Sequence, residues 1–237
     1  MLSLHRKKTL IFLFFVLIAQ IGYSQIDTQF QPDYDAKKVH FGYYLGFAST
    51  HYNFRFNNAF LSNSNSGNVK AITSPSTSGI KAGGVINVHL NDYYDFRFSP
   101  LSISIFNRKI LESDSISNTQ QDKAWFEIPM HLKYKSERRG NSRMFFFGGL
   151  KYGFETNIIN KRGSAKTGSA QYIKSSDLCV EYGMGLEIFR EYFKVTPEIH
   201  FSHGIKNMKE PGVPTSSYLR YLDKIRTHTV TFFLVFQ

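Results

Sequence analysis

The residues best suited to chemistry lie in one short stretch, His200-Phe201-Ser202-His203, with Asn207 close behind. On a strand, an H-x-S spacing puts imidazole and hydroxyl on one face, where a base could activate a nucleophile. The same alternation puts Lys194 and Glu198 on that face and Ile199 and Phe201 on the other. No third residue that would orient the imidazole is evident. Glu181 and Glu187 are six residues apart, roughly 20 Å along a strand, too far for a shared acid–base dyad. The eight histidines form no H-E-x-x-H or H-x-H cluster, which speaks against a metal site. Cys179 is the only cysteine, so no intrachain disulfide can form. A polar role in a buried interior is the expectation for these residues. Neither enzymatic activity nor a cofactor is expected.

The elements that hold these residues alternate apolar and polar side chains. Strand one is expected at about 38–49, two at 79–90, three at 94–109 and four at 124–135. The others are expected at 142–155, 174–189, 192–203 and 225–237. In strand six Leu178, Val180, Tyr182, Met184, Leu186 and Ile188 oppose Asp177, Glu181 and Glu187. Strand five sets Met144, Phe146, Leu150 and Tyr152 against Arg143 and Lys151. In strand three Pro100 interrupts the run, and the apolar parity then moves to Leu101, Ile103 and Ile105. A bulge there explains both, because proline cannot donate to the ladder. Short connections near 91–93, 136–141 and 190–191 alternate with long ones near 50–78, 110–123, 156–173 and 204–224. That rhythm predicts an all-β, eight-stranded antiparallel up-and-down transmembrane β-barrel, with short turns and both termini in the periplasm. The Asn/Ser-rich first long loop is expected to be mobile.

A leader precedes the strands. His5, Arg6, Lys7 and Lys8 give a basic start, and residues 9–19 an apolar stretch of 11. A membrane helix needs roughly 20 such residues, so residues 1–24 read as a cleaved signal peptide. Residues 25–37 read as a polar periplasmic tail, and 38–237 as an outer-membrane barrel. Removing the leader's three basic residues from 29 leaves 26 against 18 acids. The excess falls largely in loops and turns, at Arg138, Arg139, Arg143, Lys161, Arg162 and Lys166. Outer-membrane lipid or lipopolysaccharide phosphate is the expected anionic partner, and nucleic acid is not.

Energetics decides which face meets lipid. A basic side chain at the bilayer midplane costs roughly 2–4 kcal/mol, an acid less. Arg97, Glu127, His131, Lys133, Lys151, Glu181, Glu187, Glu198 and His200 therefore belong in the lumen. An eight-stranded barrel is just wide enough to be filled by side chains, so a plugged interior is expected, with Phe145 and Phe147 inside. Tyr93, Tyr94, Trp125, Tyr134 and Tyr192 lie near strand ends, where interface aromatics belong. A soluble sandwich or lipocalin-like barrel would also alternate. Leader, strand length and the aromatic finish "THTVTFFLVFQ" favour the membrane.

Two stretches resemble the PorT/SprT group of Bacteroidota-type outer-membrane barrels. One is "WFEIPMHLKYKSERRGNSRMFFFGGLKYGFE" (125–155); the other is "PEIHFSHGIKNM" (197–208), followed by "YLRYLDKIRTHTVTFFLVFQ". Pro197, Glu198, Phe201, Ser202, Gly204 and Asn207 fit that family's P-E-x-x-F-S-x-G strand and nearby Asn; His200 and His203 depart from it. The resemblance implies an accessory or assembly role in type IX protein secretion and gliding motility. Its partners would be other secretion-system subunits, and its cargo proteins with a C-terminal sorting domain. The His-Ser stretch also looks somewhat like the active-site stretch of outer-membrane lipid A deacylases, which present both groups to lipid; here both turn inward. The alternatives are therefore a lipid A hydrolase or a generic adhesion barrel with binding loops.

Overall fold

Backbone groups inside a bilayer have no water to bond, so strands can cross it only when paired on both edges. A computed structural model of the chain describes residues 29–58, 60, 72–106, 108, 110–112, 123–156, 172–212 and 218–237. Its barrel strands are β1 (Val39–Phe56), β2 (Thr77–His89), β3 in two pieces (Tyr94–Phe98 and Ser102–Phe106) and β4 (Lys123–Lys135). β5 (Ser142–Thr156), β6 (Ser176–Phe189), β7 (Lys194–Gly204) and β8 (Leu222–Phe236) follow. Each pairs antiparallel with the next, and β1 pairs with β8 from Tyr43↔Phe236 to Phe56↔Leu222. The ring is closed: the chain is an eight-stranded antiparallel up-and-down barrel, as the alternation predicts. Residues 1–28, which include the expected signal peptide, and most of the long connection after β1 lie outside the described residues.

The expected break at Pro100 is a bulge that both neighbouring strands register. Ile86 faces Phe98 while Gly83 faces Ser102, so three steps along β2 match four along β3. On the other side Met130 faces Phe98 and Glu127 faces Ser102. The Gly84 N–H donates to the Leu101 carbonyl at 2.8 Å and the Ser99 N–H to the Pro129 carbonyl at 3.1 Å, so backbone pairing resumes at once. The extra residue swaps faces: Asp95 and Arg97 are buried before it, and Ser102 and Ser104 after it.

The two faces differ as a bilayer requires. Outward positions are bare and apolar; Phe41 and Phe47 are each 71% exposed, with Leu45, Ile80, Met184 and Phe232 around them. Inward positions are buried and mostly polar. Inward glycines let strands and rings approach: a Cβ on Gly183 would run into the Ile199 carbonyl oxygen and the Phe147 ring.

Both ends are covered. Short connections and the chain's last residue share one end, here called the terminal end. There the sequence predicts a featureless tail over 25–37; residues 30–37 instead fold across the barrel mouth. Tyr34–Ala36 form a 3-10 turn. Tyr34 is buried, stacked on His40 with centroids 3.8 Å apart and edge-on to Phe189 at 5.3 Å. The segment lacks apolar periodicity because one aromatic and one acid, not a face, anchor it. At the far end Tyr52, Phe106, Trp125, Met208, Leu219 and Ile225 form a buried apolar cluster. Trp125 is thereby a correction: it is 4% exposed and inside, not an interface aromatic. Its odd parity, shared with Glu127, carried that information. Tyr93, Tyr94, Tyr134 and Tyr192 are exposed, the first three packed together at the terminal end.

Leu45→Arg puts a cation among the outward apolar rows and is expected to lower unfolding stability by about 2–4 kcal/mol. Guanidinium titration of the folded chain in lipid vesicles checks this, with Leu45→Val as the near-neutral control.

Candidate functional site

A buried charge needs its opposite within reach, and here the partners come from adjacent strands and, for Arg97 with Glu198, from across the lumen. In the middle tier, Glu127 on β4 accepts from Lys81 on β2 at 2.6 Å and from Ser104 on β3 at 2.8 Å. Lys151 on β5 lies 3.4 Å from Glu127 and 2.8 Å from Glu181 on β6. Glu181 meets His200 Nδ1 on β7 at 2.8 Å and lies 3.2 Å from His131 Nε2. The other nitrogen of His200 meets Glu198 Oε2 at 2.8 Å. Arg97 Nη1 donates to both Glu198 oxygens at 2.7 Å, and its Nε to Asn87 Oδ1 at 3.2 Å. The chain of contacts therefore runs unbroken across the lumen, from Lys81 through Glu127, Lys151, Glu181, His200, Glu198 and Arg97 to Asn87.

A second tier sits toward the terminal end. Glu187 is fully buried and accepts from Lys133, from Arg143 and, at 2.7 Å, from Lys194. Asp95 holds Lys135 at 2.6 Å and His89 Nδ1 at 3.2 Å. The segment across the mouth completes the tier. Arg143 donates to both Asp35 oxygens, at 2.8 and 3.0 Å, and Lys194 to the Tyr34 hydroxyl at 2.6 Å. Burial alone would raise the Asp35 carboxyl, but the hydrogen bonds and charge of Arg143, with the charge of Lys135, hold it below the usual carboxylate range. Burial pushes the Tyr34 phenol up, so it stays a neutral acceptor for Lys194.

All nine residues singled out for the lumen, from Arg97 to His200, have buried side chains there. The alternation of strand four also puts Lys135 on the lumen face, where it is buried, whereas nothing in the sequence points to Asp35; Arg143, counted with the surface excess, is 5% exposed and paired with Glu187. Its parity with Lys151 was the available signal. Lys161, Arg162 and Lys166 lie outside the described residues. The motif residues are structural. Asn207 accepts from the Ile225 and Lys209 N–H groups, each at 3.1 Å, and donates to the Asp223 carbonyl, tying the connection after β7 to β8. A Cβ on Gly204 would press on Thr227. Pro197 pairs with Leu234 and Phe201 with Val230, while Ser202 is buried opposite Glu181.

The arrangement leaves little chemistry open. Two carboxylates on both His200 nitrogens call for a hydrogen on each, so this imidazole has no lone pair to accept the Ser202 proton. His203 faces outward, against Tyr182 and His228. His131, Glu181 and His200 could each offer one ligand atom within 4.8 Å of the others. A cation there would have to displace Lys151, which lies 2.8 Å from Glu181.

A family model described as "Outer membrane protein beta-barrel domain" matches residues 20–210. No curated protein matches the chain. Among solved structures, the chain is similar to the outer membrane protein OprG from Pseudomonas aeruginosa, with 9% identity and a TM-score of 0.42, covering 84% of this chain and 94% of that one. It is also similar to Neisserial surface protein A, with 9% identity and a TM-score of 0.42, covering 84% and 98%. A third is Ail, the attachment invasion locus protein of Yersinia pestis, with 12% identity and a TM-score of 0.37, again covering 84% and 98%.

Replacing Glu187 by Leu strands three buried cations and is expected to cost about 3–5 kcal/mol, read from denaturant midpoints in detergent. Asp35 gives a pH signature. Its folded value is depressed, so its contribution is complete above the ordinary carboxyl value of 3.8 and is lost as pH falls through the lower folded value. Amide exchange at Tyr34, Ala36 and Lys37, corrected for intrinsic rate, should accelerate below that pH, and Asp35→Asn should remove the pH dependence.

Proposed function

The chain belongs to the outer-membrane β-barrel domain family and is an integral outer-membrane protein; from that premise we propose that it is a non-enzymatic, non-conducting accessory or assembly component of type IX protein secretion. In this reading the short turns and both termini face the periplasm and the long connections face outward. The barrel works through its surfaces, helping other subunits export proteins with a sorting domain. One observation carries it: the lumen is filled by mutually paired charges and covered at both ends. A barrel so filled cannot be the conduit for cargo, and carboxylates on both nitrogens of His200 leave it no free nitrogen to act as a base on Ser202. The export system itself is suggested by the motif stretches at 125–155, 197–208 and 218–237.

A hydrolase acting on lipid A needs His200 and Ser202 presented to lipid, and both are buried inward. An adhesion barrel would act through the long connections, most of which lie outside the described residues.

Deleting the gene is expected to leave sorting-domain cargo in the periplasm, and outer-membrane purification of the tagged chain to bring down secretion subunits. Normal cargo export in the deletion strain overturns the proposal. Ser202→Ala should leave lipid A mass unchanged, and the reconstituted barrel should give no stepwise currents in a planar bilayer.

A further inference from the structure

On the outward face of three adjacent strands the side chains change character row by row toward the far end. Phe47, Phe232 and Ile199 form one row across β1, β8 and β7; Ser49, Val230 and Phe201 form the next. Beyond them His51, His228 and His203 line up side by side, followed by Asn53 with Arg226 and then Arg55 with Lys224. Apolar, histidine, arginine and arginine–lysine rows thus follow one another without a break.

The histidines form a continuous surface. Ring centroids of His51 and His228 are 4.9 Å apart, and those of His203 and His228 4.5 Å. The Nδ1 atoms of His203 and His228 meet at 3.0 Å, and His203 Nε2 meets the Tyr182 hydroxyl at 3.1 Å. Above them Asn53, Phe54, Arg55, Lys224 and Arg226 line a shallow hollow. The only outward acid on these three strands is Asp223, whose carboxylate lies 3.8 Å from Arg55 Nε with both side chains largely exposed. Toward the same end, the last outward positions described on β2, β3, β5 and β6 are uncharged: Ser78, Ile105, Thr156 and Ser176. Among the described outward strand positions toward this end, the cations fall on β1 and β8.

Depth fixes what such a patch can meet. Two residues along a tilted strand climb about 5 Å along the membrane normal. The histidine row then stands at head-group depth just above Val230, with Arg226 about 5 Å higher. Long basic side chains bend their charge to the interface while their stems stay on apolar surface. The charged groups available at that depth are phosphates, which guanidinium binds with two parallel hydrogen bonds.

We propose that the outward face of β1, β8 and β7 binds the phosphate of an outer-leaflet lipid head group, with Arg226, Lys224 and Arg55 contacting the phosphate. The histidine row beneath supplies N–H donors and a polar floor, and Phe47, Phe232 and Ile199 meet the acyl chains. From the preceding section the inference takes only the orientation with the long connections outward. It stands or falls apart from the export role.

Native mass spectrometry of the full chain in detergent tests it, because binding there depends on neither orientation nor secretion. The probes are an acylated glucosamine disaccharide with two phosphates, the same lipid dephosphorylated, and inorganic phosphate. The native chain is expected to retain the phosphorylated lipid and not the dephosphorylated one, a comparison that needs no variant. The Arg55→Gln/Lys224→Gln/Arg226→Gln protein should bind the phosphorylated lipid roughly a hundredfold more weakly, from three lost surface charges. Its folding is checked by heat-modifiable migration. Equal retention of the two lipids by the native chain would overturn the proposal, as would undiminished retention by the folded variant. Inorganic phosphate held as tightly as the lipid would mean that the site serves a free anion, and would overturn the lipid assignment.

Discussion

An ion taken out of water costs several kcal/mol unless an opposite charge and further hydrogen bonds replace the lost hydration. In this barrel that requirement acts on a whole layer of side chains. Glu187 draws Lys133, Arg143 and Lys194 from three other strands and stations of the wall. Glu127, Glu181 and Glu198 do the same for Lys81, Lys151 and Arg97. Because each ion's partner sits on a different strand, the pairs act as cross-braces. A register slip of one residue in any of these strands would turn the ions toward hydrocarbon and the aromatics inward. The polar interior thus specifies the closed ring as much as the ring shelters the polar interior.

Period-two alternation is a local property, which is why the strands, their faces and the break at Pro100 could be read from the chain. Leu178 to Ile188 against Asp177 to Glu187 left no choice of face. Partnership is not local. That Arg97 would find Glu198, 101 residues away, depends on barrel stagger, which no single strand displays. The N-terminal segment was opaque for another reason: Tyr34 and Asp35 are anchors without periodicity, defined by cavities that other strands build. β1 runs on to Phe56, past the apolar rows, because polar residues pair as well as apolar ones once the strand rises out of lipid. Trp125 and Arg143 are different. Their parity was visible, and strand-end position and charge counting drew attention from it.

The functional reading follows from what the interior lacks as well as from what it holds. His200 and Ser202 have the spacing of a catalytic pair, yet neighbouring carboxylates occupy both imidazole nitrogens. Chemistry is withdrawn from the lumen and interaction is left to the outside. There the barrel offers two surfaces: an apolar belt that fits any bilayer, and the graded basic sector on β1, β8 and β7, which would make one side of the molecule prefer particular lipid neighbours. A barrel so built would be turned in its membrane by lipids as well as by any protein partners.

The bulge at Pro100 bears on how this chain can change length. Parity is arithmetic modulo two, so an odd insertion in a barrel strand inverts every side chain beyond it, whereas an even one preserves them. β3 already contains one odd step, and its two halves are fitted to opposite parities. A single deletion between Ser99 and Ser102 would restore strict alternation and equal steps with both neighbours, so this is the one place in the strand where an odd change leaves every side chain on its own face. Length variation among descendants of this sequence should therefore collect in the far-end connections, come in pairs within strands, or remove the single odd step at Pro100.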